Sequence, residues 1–140
     1  MGSRKTDPAE VARQGAEAVR ELNHQTLNAK TMSAPEISAT VRGLLDLVDR
    51  LPQALEQLAG HLERELAAGR VRMEDGRDPA GPVDQALAGL RRAAALTAPE
   101  NHTDYGDPAG ELSEALHDAG SWLFNMGAPW SDDETEDGER

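Results

Sequence analysis

The residues able to do chemistry are few. His24, His61, His102 and His117 are the only nitrogen ligands the chain offers a metal ion, and there is no cysteine. His61 and Glu65 stand four apart, so on a helix both could reach one ion. Two ligands fall short of a closed structural zinc site, which takes four. His117 and Asp118 are adjacent, and adjacent side chains diverge on a helix. His24 falls near the end of a helix, where an imidazole suits the negative pole of the helix dipole; it reads as a packing or capping residue.

Carboxylates come in pairs: Asp46 with Asp49, Glu63 with Glu65, Asp132 with Asp133. Acid–base catalysis needs two acids whose surroundings push their pKa values apart. These pairs are expected on exposed faces or in the C-terminal tail, where water solvates both members. No serine stands in a nucleophile-elbow sequence, and no glycine-rich phosphate loop is present. Asp75-Gly76-Arg77-Asp78 is too short and too poor in spaced acids for a calcium loop. The sequence thus predicts no catalytic, metal-binding or cofactor-binding residue, and an enzyme is the least favoured function class.

The densest large-apolar patch is Trp122-Leu123-Phe124-Asn125-Met126. On a helix Trp122 and Met126 share one side and Phe124 points away. Trp122 is expected in the core. Phe124 and Trp130, with the acids Asp132, Asp133 and Glu134 that follow, are the expected partner-binding residues, because aromatic side chains anchor interfaces.

Charge narrows the partners. The net charge is −12, and the last ten residues hold six acids against one arginine. Basic residues are scattered, often beside acids, as in Glu63-Arg64-Glu65. Such a chain is repelled by nucleic acid and anionic lipid, so neither direct nucleic-acid binding nor membrane binding is expected. Disulfides and thiolate chemistry are excluded. There is no apolar signal core at the N-terminus and no run near the ~18 apolar residues that cross a bilayer, so the expected location is cytoplasmic.

The elements that would position these residues are helical. Four aromatic residues leave a core of Leu, Val and Ala, types that favour helix over strand. Between Ser33 and Leu66 the large apolar residues Ile37, Val41, Leu44, Val48, Leu51, Leu55, Leu58 and Leu62 alternate in steps of 4 and 3, a heptad seam made for packing on other helices. Pro52 interrupts it. Two readings stay open: one long helix kinked near residues 48–52, or two helices meeting with Pro52 at the first position of the second.

Helix starts are signalled by Asp7-Pro8-Ala9-Glu10, Ser33-Ala34-Pro35-Glu36, Asp78-Pro79-Ala80-Gly81 and Asp107-Pro108-Ala109-Gly110. Each offers a capping side chain; Pro near a first turn loses no helical bond; and Glu10 and Glu36 stand where a capping box needs them. Gly69 suits a left-handed C-cap, Arg70–Gly76 reads as loop, and Gly127-Ala128-Pro129 is a stop. The first and fourth helices carry faces of Val11, Gly15, Ala18, Leu22 and of Leu112, Leu116, Ala119, Leu123. The Asp-Pro-Ala-Gly stretches at 78 and 107 look alike, but the match fades within about ten positions, so it reads as shared capping rather than a repeat.

Three segments also carry a resemblance: Ala18-Val19-Arg20-Glu21-Leu22-Asn23-His24, Arg50-Leu51-Pro52-Gln53-Ala54-Leu55, and Gly69-Arg70-Val71 leading to Asp75-Gly76 and Asp78-Pro79. Together, over roughly residues 10–96, the chain resembles a group of small helical proteins of actinobacteria often encoded near plasmid or integrative-element transfer genes. The resemblance implies a cytoplasmic, mobile-element-type protein and transfers no catalytic residue.

The expected fold is all-α: a compact bundle of four to five helices at 8–28, 34–50, 52–68, 80–97 and 108–126, with a Pro-kinked central helix pair. Residues 1–6 are expected to be disordered, 7–127 to form one domain, and 128–140 to be a disordered acidic tail. Val83, Leu87 and Leu90 should cover the seam from one side and Leu22 from another. The expected function is that of a non-enzymatic interaction or regulatory protein acting through a helical surface, with a protein partner or a homodimer. The alternative is an accessory factor of a mobile element, or an acidic mimic that occupies a basic DNA-binding protein.

Overall fold

The computed structural model describes residues 7–98 and 111–127. Within them the chain is all-helical: α1 Pro8–Asn28, α2 Ala34–Ala67, α3 Ala80–Thr97 and α4 Glu111–Phe124, with no strand among the described residues. It divides into two compact units, Met1–Ser33 and Ala34–Arg140.

The first unit is built on α1. Asp7 caps it, its side chain accepting from the Ala9 amide at 3.0 Å, with Pro8 in the first turn. Glu10 does not complete the expected capping box: Arg13, one turn on, takes its carboxylate at 2.7 Å, and a charged partner outcompetes a backbone amide. None of the residues of α1 is buried; Val19 and Leu22 are half-buried.

In the second unit α2 packs against α3 and α4, which also meet each other. The residues expected to form a central helix pair form one helix of 34 residues with Pro52 inside it. Proline in a helix interior costs ~3 kcal/mol. Burial on both sides offsets that cost, because Val48 lies one turn before the proline and Ala59 two turns after, and both are buried. α2 ends as its glycine predicts. Gly69 has φ 71°, its amide donates to Leu66 O and the Arg70 amide to Glu65 O, which is the Schellman pattern. Residues 70–79 are loop, turning at Gly76, whose φ is 77° and whose amide donates to Met73 O. Asp78 then accepts from the Ala80 amide at 3.0 Å and opens α3.

The core sits between α2 and α3. Ala59, Val83 and Leu87 are buried together, with Leu62, Leu66, Val71 and Leu90 packed around them. Each Val or Leu so buried contributes about 1.5–3 kcal/mol. Val83, Leu87 and Leu90 therefore cover the seam at its Leu62 end. An exposed ion pair between Arg91 and Glu63 flanks them. Leu22 belongs to the first unit.

The seam splits lengthwise into two rows. Val41, Val48, Leu55 and Leu62 are buried or half-buried. Of Ile37, Leu44, Leu51 and Leu58, only Leu44 is half-buried and the others are exposed, Leu58 by 53%. Leu47, four residues before Leu51, is exposed as well. Ala59, a small residue outside the seam, takes the most buried place on α2, clustered with Val83 and Leu87 of α3.

Two expectations for α4 are corrected. Trp122 is not in the core: it is 70% exposed. The face turned inward runs through Ser113, Leu116, Gly120 and Leu123, while Leu112 and Ala119 are exposed. That rotation leaves the tryptophan pointing away, because α2 presents Asp49 and α4 meets it with a small polar residue instead of a large ring. The fourth start signal at residue 107 and the acidic stretch from residue 128 lie outside the described residues.

Candidate functional site

α2 and α4 meet at a polar junction. Ser113 is completely buried, and its hydroxyl donates to Asp49 Oδ1 at 2.8 Å. His117, one turn further along α4, places Nε2 3.5 Å from Asp49 Oδ2. Both carboxylate oxygens therefore face α4. Asp49 is half-buried, which corrects the expectation that it lies on an open face. The buried hydroxyl has its partner, as buried polar groups require.

These are the three residue types of a serine hydrolase in the wrong order. A nucleophilic serine gives its proton to the imidazole, and the carboxylate orients the imidazole from behind. Here the carboxylate stands between the other two, and Ser113 Oγ, wholly buried, faces no substrate. The junction can hold two helices together; it cannot deliver a nucleophile.

Beyond the junction the same two helices frame a groove of about 380 Å³. Val41 and Leu45 of α2 and Gly120 and Phe124 of α4 give it apolar walls, and Arg42 and His117 also line it. Contacts pair residue 49 with 113 and residues 38–45 with 117–124, so α4 runs antiparallel to this part of α2. Phe124, named above as a partner-binding candidate, is 70% exposed. Trp130, Asp132, Asp133 and Glu134 lie outside the described residues.

The other singled-out residues are dispersed. His24 is exposed on α1, and His102 is outside the described residues. His61 does approach Glu65, but the Glu65 carboxylate is engaged by Arg70 through two hydrogen bonds of 2.8 and 2.9 Å. The Arg70 hydrogen bond holds Glu65 below the usual carboxylate range, helped by the charges of Arg70 and His61, and the same bond raises Arg70. Arg77 lowers Asp75 in the same way across the turn. Among the described residues no group of three or more His, Asp or Glu side chains is placed to hold a metal ion. No helix among them is long and apolar enough to cross a membrane.

The junction was missed in the sequence because its partners are 64 positions apart. One signal was present: Ser113 sits at helical spacing from Leu116 and Gly120, a small polar residue in line with the inward face. Compared with known proteins, the chain matches no family model, no curated protein and no solved structure.

Proposed function

We propose that this chain is a non-enzymatic interaction protein that works through a helical surface, the outer edge of α2, and that this edge takes the same edge of a second copy. The observation that carries the reading is the split seam. Ile37, Leu44, Leu51 and Leu58 repeat every seven residues, and Leu47 stands between them at the complementary offset. This is the spacing at which helices interlock side by side, and a stripe that repeats this way fits its own copy. The inward row is buried or half-buried, with Leu62 packed in the α2–α3 core, whereas Ile37, Leu51 and Leu58 of the outer row are left with apolar surface facing water. A bend of α2 at Pro52 belongs to the same reading, since the ring crowds the carbonyl of Val48 and would set the angle between the two halves of the edge.

Light scattering at two protein concentrations tests it. The expected result is a mass that rises toward the dimer with concentration, and a Leu58→Glu variant that stays monomeric with its helical circular dichroism intact. A native chain that is monomeric at both concentrations contradicts it.

The net charge of −12 supports a second reading, an acidic protein that occupies a basic DNA-binding protein, in keeping with a mobile-element role. Salt-sensitive capture of such a partner by a chain that does not self-associate would favour it over the first.

A further inference from the structure

The outer edge of α2 consists of two rows that differ in bulk. Ile37, Leu44, Leu51 and Leu58 make the first, and every member is large and apolar. The second, three residues further on at each step, is Thr40, Leu47, Ala54 and His61, of which only Leu47 is large and apolar. Leu47, Ala54 and His61 are exposed, and Thr40 is half-buried. When two helices interlock side by side, both rows meet the partner. Facing layers fill space best when a large side chain stands against a smaller one.

The two orientations of a symmetric pair bring different residues together. In a parallel pair each residue meets its own copy. Thr40 would face Thr40, Ala54 would face Ala54 and His61 would face His61, leaving thin or polar layers between layers of leucine on leucine. In an antiparallel pair each row meets the other row. One register gives every residue of both rows a partner: Ile37 against His61 of the second copy, Leu44 against Ala54, Leu51 against Leu47, and Leu58 against Thr40. The symmetry repeats each contact in reverse. Every layer then holds a leucine or an isoleucine.

Charge selects the same orientation. The flank beside the second row carries Glu36, Arg50 and Arg64, all exposed. In an antiparallel pair this flank meets itself, and Glu36 comes opposite Arg64 of the second copy at both ends. In a parallel pair it would meet the opposite flank, which is the apolar inward row and offers no counter-charge. Arg50 does meet its own copy near the two-fold axis, but at the rim of the contact, where water and salt screen the repulsion. Opposed helices also place the positive pole of each beside the negative pole of the other.

We infer that the second copy packs antiparallel on the outer edge of α2, about a two-fold axis between Leu47 and Leu51, with Glu36 paired to Arg64 of the second copy at each end. The inference rests on self-association through that edge and fixes its direction and register.

Disulfide trapping tests it in the full chain, which has no cysteine of its own. Ile37→Cys and His61→Cys are both changes at exposed positions. In the antiparallel pair the two copies of residue 37 lie roughly 36 Å apart at the rise of a helix, far beyond the reach of a disulfide. Under mild oxidation, an equimolar mixture of the two variants should give several-fold more covalent dimer than either variant alone. Light scattering on the native chain is read alongside. Covalent dimer formed as readily by Ile37→Cys alone as by the mixture overturns the inference in favour of a parallel pair. No covalent dimer in any sample, from a native chain that scatters as a dimer, overturns the register while self-association stands. A native chain that stays monomeric removes self-association itself, and this inference with it.

Discussion

The hydroxyl of Ser113, completely buried on α4, donates to Asp49 Oδ1 of α2 at 2.8 Å. A hydrogen bond to a charged group contributes about 1.5–3 kcal/mol. Ser113→Ala should lower the unfolding free energy of the second unit by that amount, read from chemical denaturation. A double-mutant cycle with Asp49→Ala should show coupling above about 0.5 kcal/mol, the range for residues in direct contact. Additive effects would remove the junction from the account.

Leu87 and Leu58 present opposite cases on neighbouring helices. Leu87 is buried in the α2–α3 core, and Leu87→Ala should cost about 2–5 kcal/mol. Leu58 is largely exposed, so Leu58→Ala should change the stability of the dilute monomer by about 0.5 kcal/mol or less. Thermal or urea unfolding of the two variants side by side checks the division of the seam into an inward and an outward row.

Gly69 closes α2 in the left-handed region at φ 71°. An L side chain there costs about 1–2 kcal/mol. There is room for one, since a Cβ on Gly69 would meet nothing within 4 Å, so the loss in Gly69→Ala is conformational and should appear undiminished in the unfolding free energy. Gly89, in the middle of α3 with equally open space, should behave in the opposite sense and gain about 0.5–1 kcal/mol as Ala.

Acid should loosen the end of α2. The Arg70 hydrogen bond lowers the pKa of Glu65 in the folded chain. A carboxyl lowered on folding adds stability above its unfolded pKa, and that contribution is lost as the pH falls through the folded value. Asp75 is lowered by Arg77 and acts with the same sign. A carbon-detected titration should find Glu65 below an ordinary glutamate, and Arg70→Gln should move it back up. An unchanged Glu65 midpoint in that variant would contradict the assignment of the shift to Arg70.

Helix ends were legible because single residues decide them. Asp7-Pro8 and Asp78-Pro79 open α1 and α3 where their side chains can accept from the amide two residues on, and Gly69 stops α2 where only glycine is at ease. The seam was legible as a repeat, but its orientation was not. Rows spaced by seven look equivalent until α3 and α4 pack on α2, with one row buried or half-buried and most of the other left exposed. Pro52 pointed to two outcomes, and packing on either side of it decided for a single helix. Trp122 misled because size suggests burial, whereas the facing surface of α2 holds Asp49 and wants a small donor. The Ser113–Asp49–His117 junction and the groove beside it depend on which faces of α2 and α4 meet, and the helical spacing of Ser113 with Leu116 and Gly120 marks only the inward face of α4, not its partner on α2.

The most direct measurement of the central claim is light scattering on the native chain and on Leu58→Glu at two concentrations. The outer edge of α2 predicts a native mass that climbs toward the dimer as concentration rises, and a variant that keeps its helical signal and stays at the monomer mass. A native chain at the monomer mass throughout, or a Leu58→Glu variant that associates as the native chain does, would contradict it.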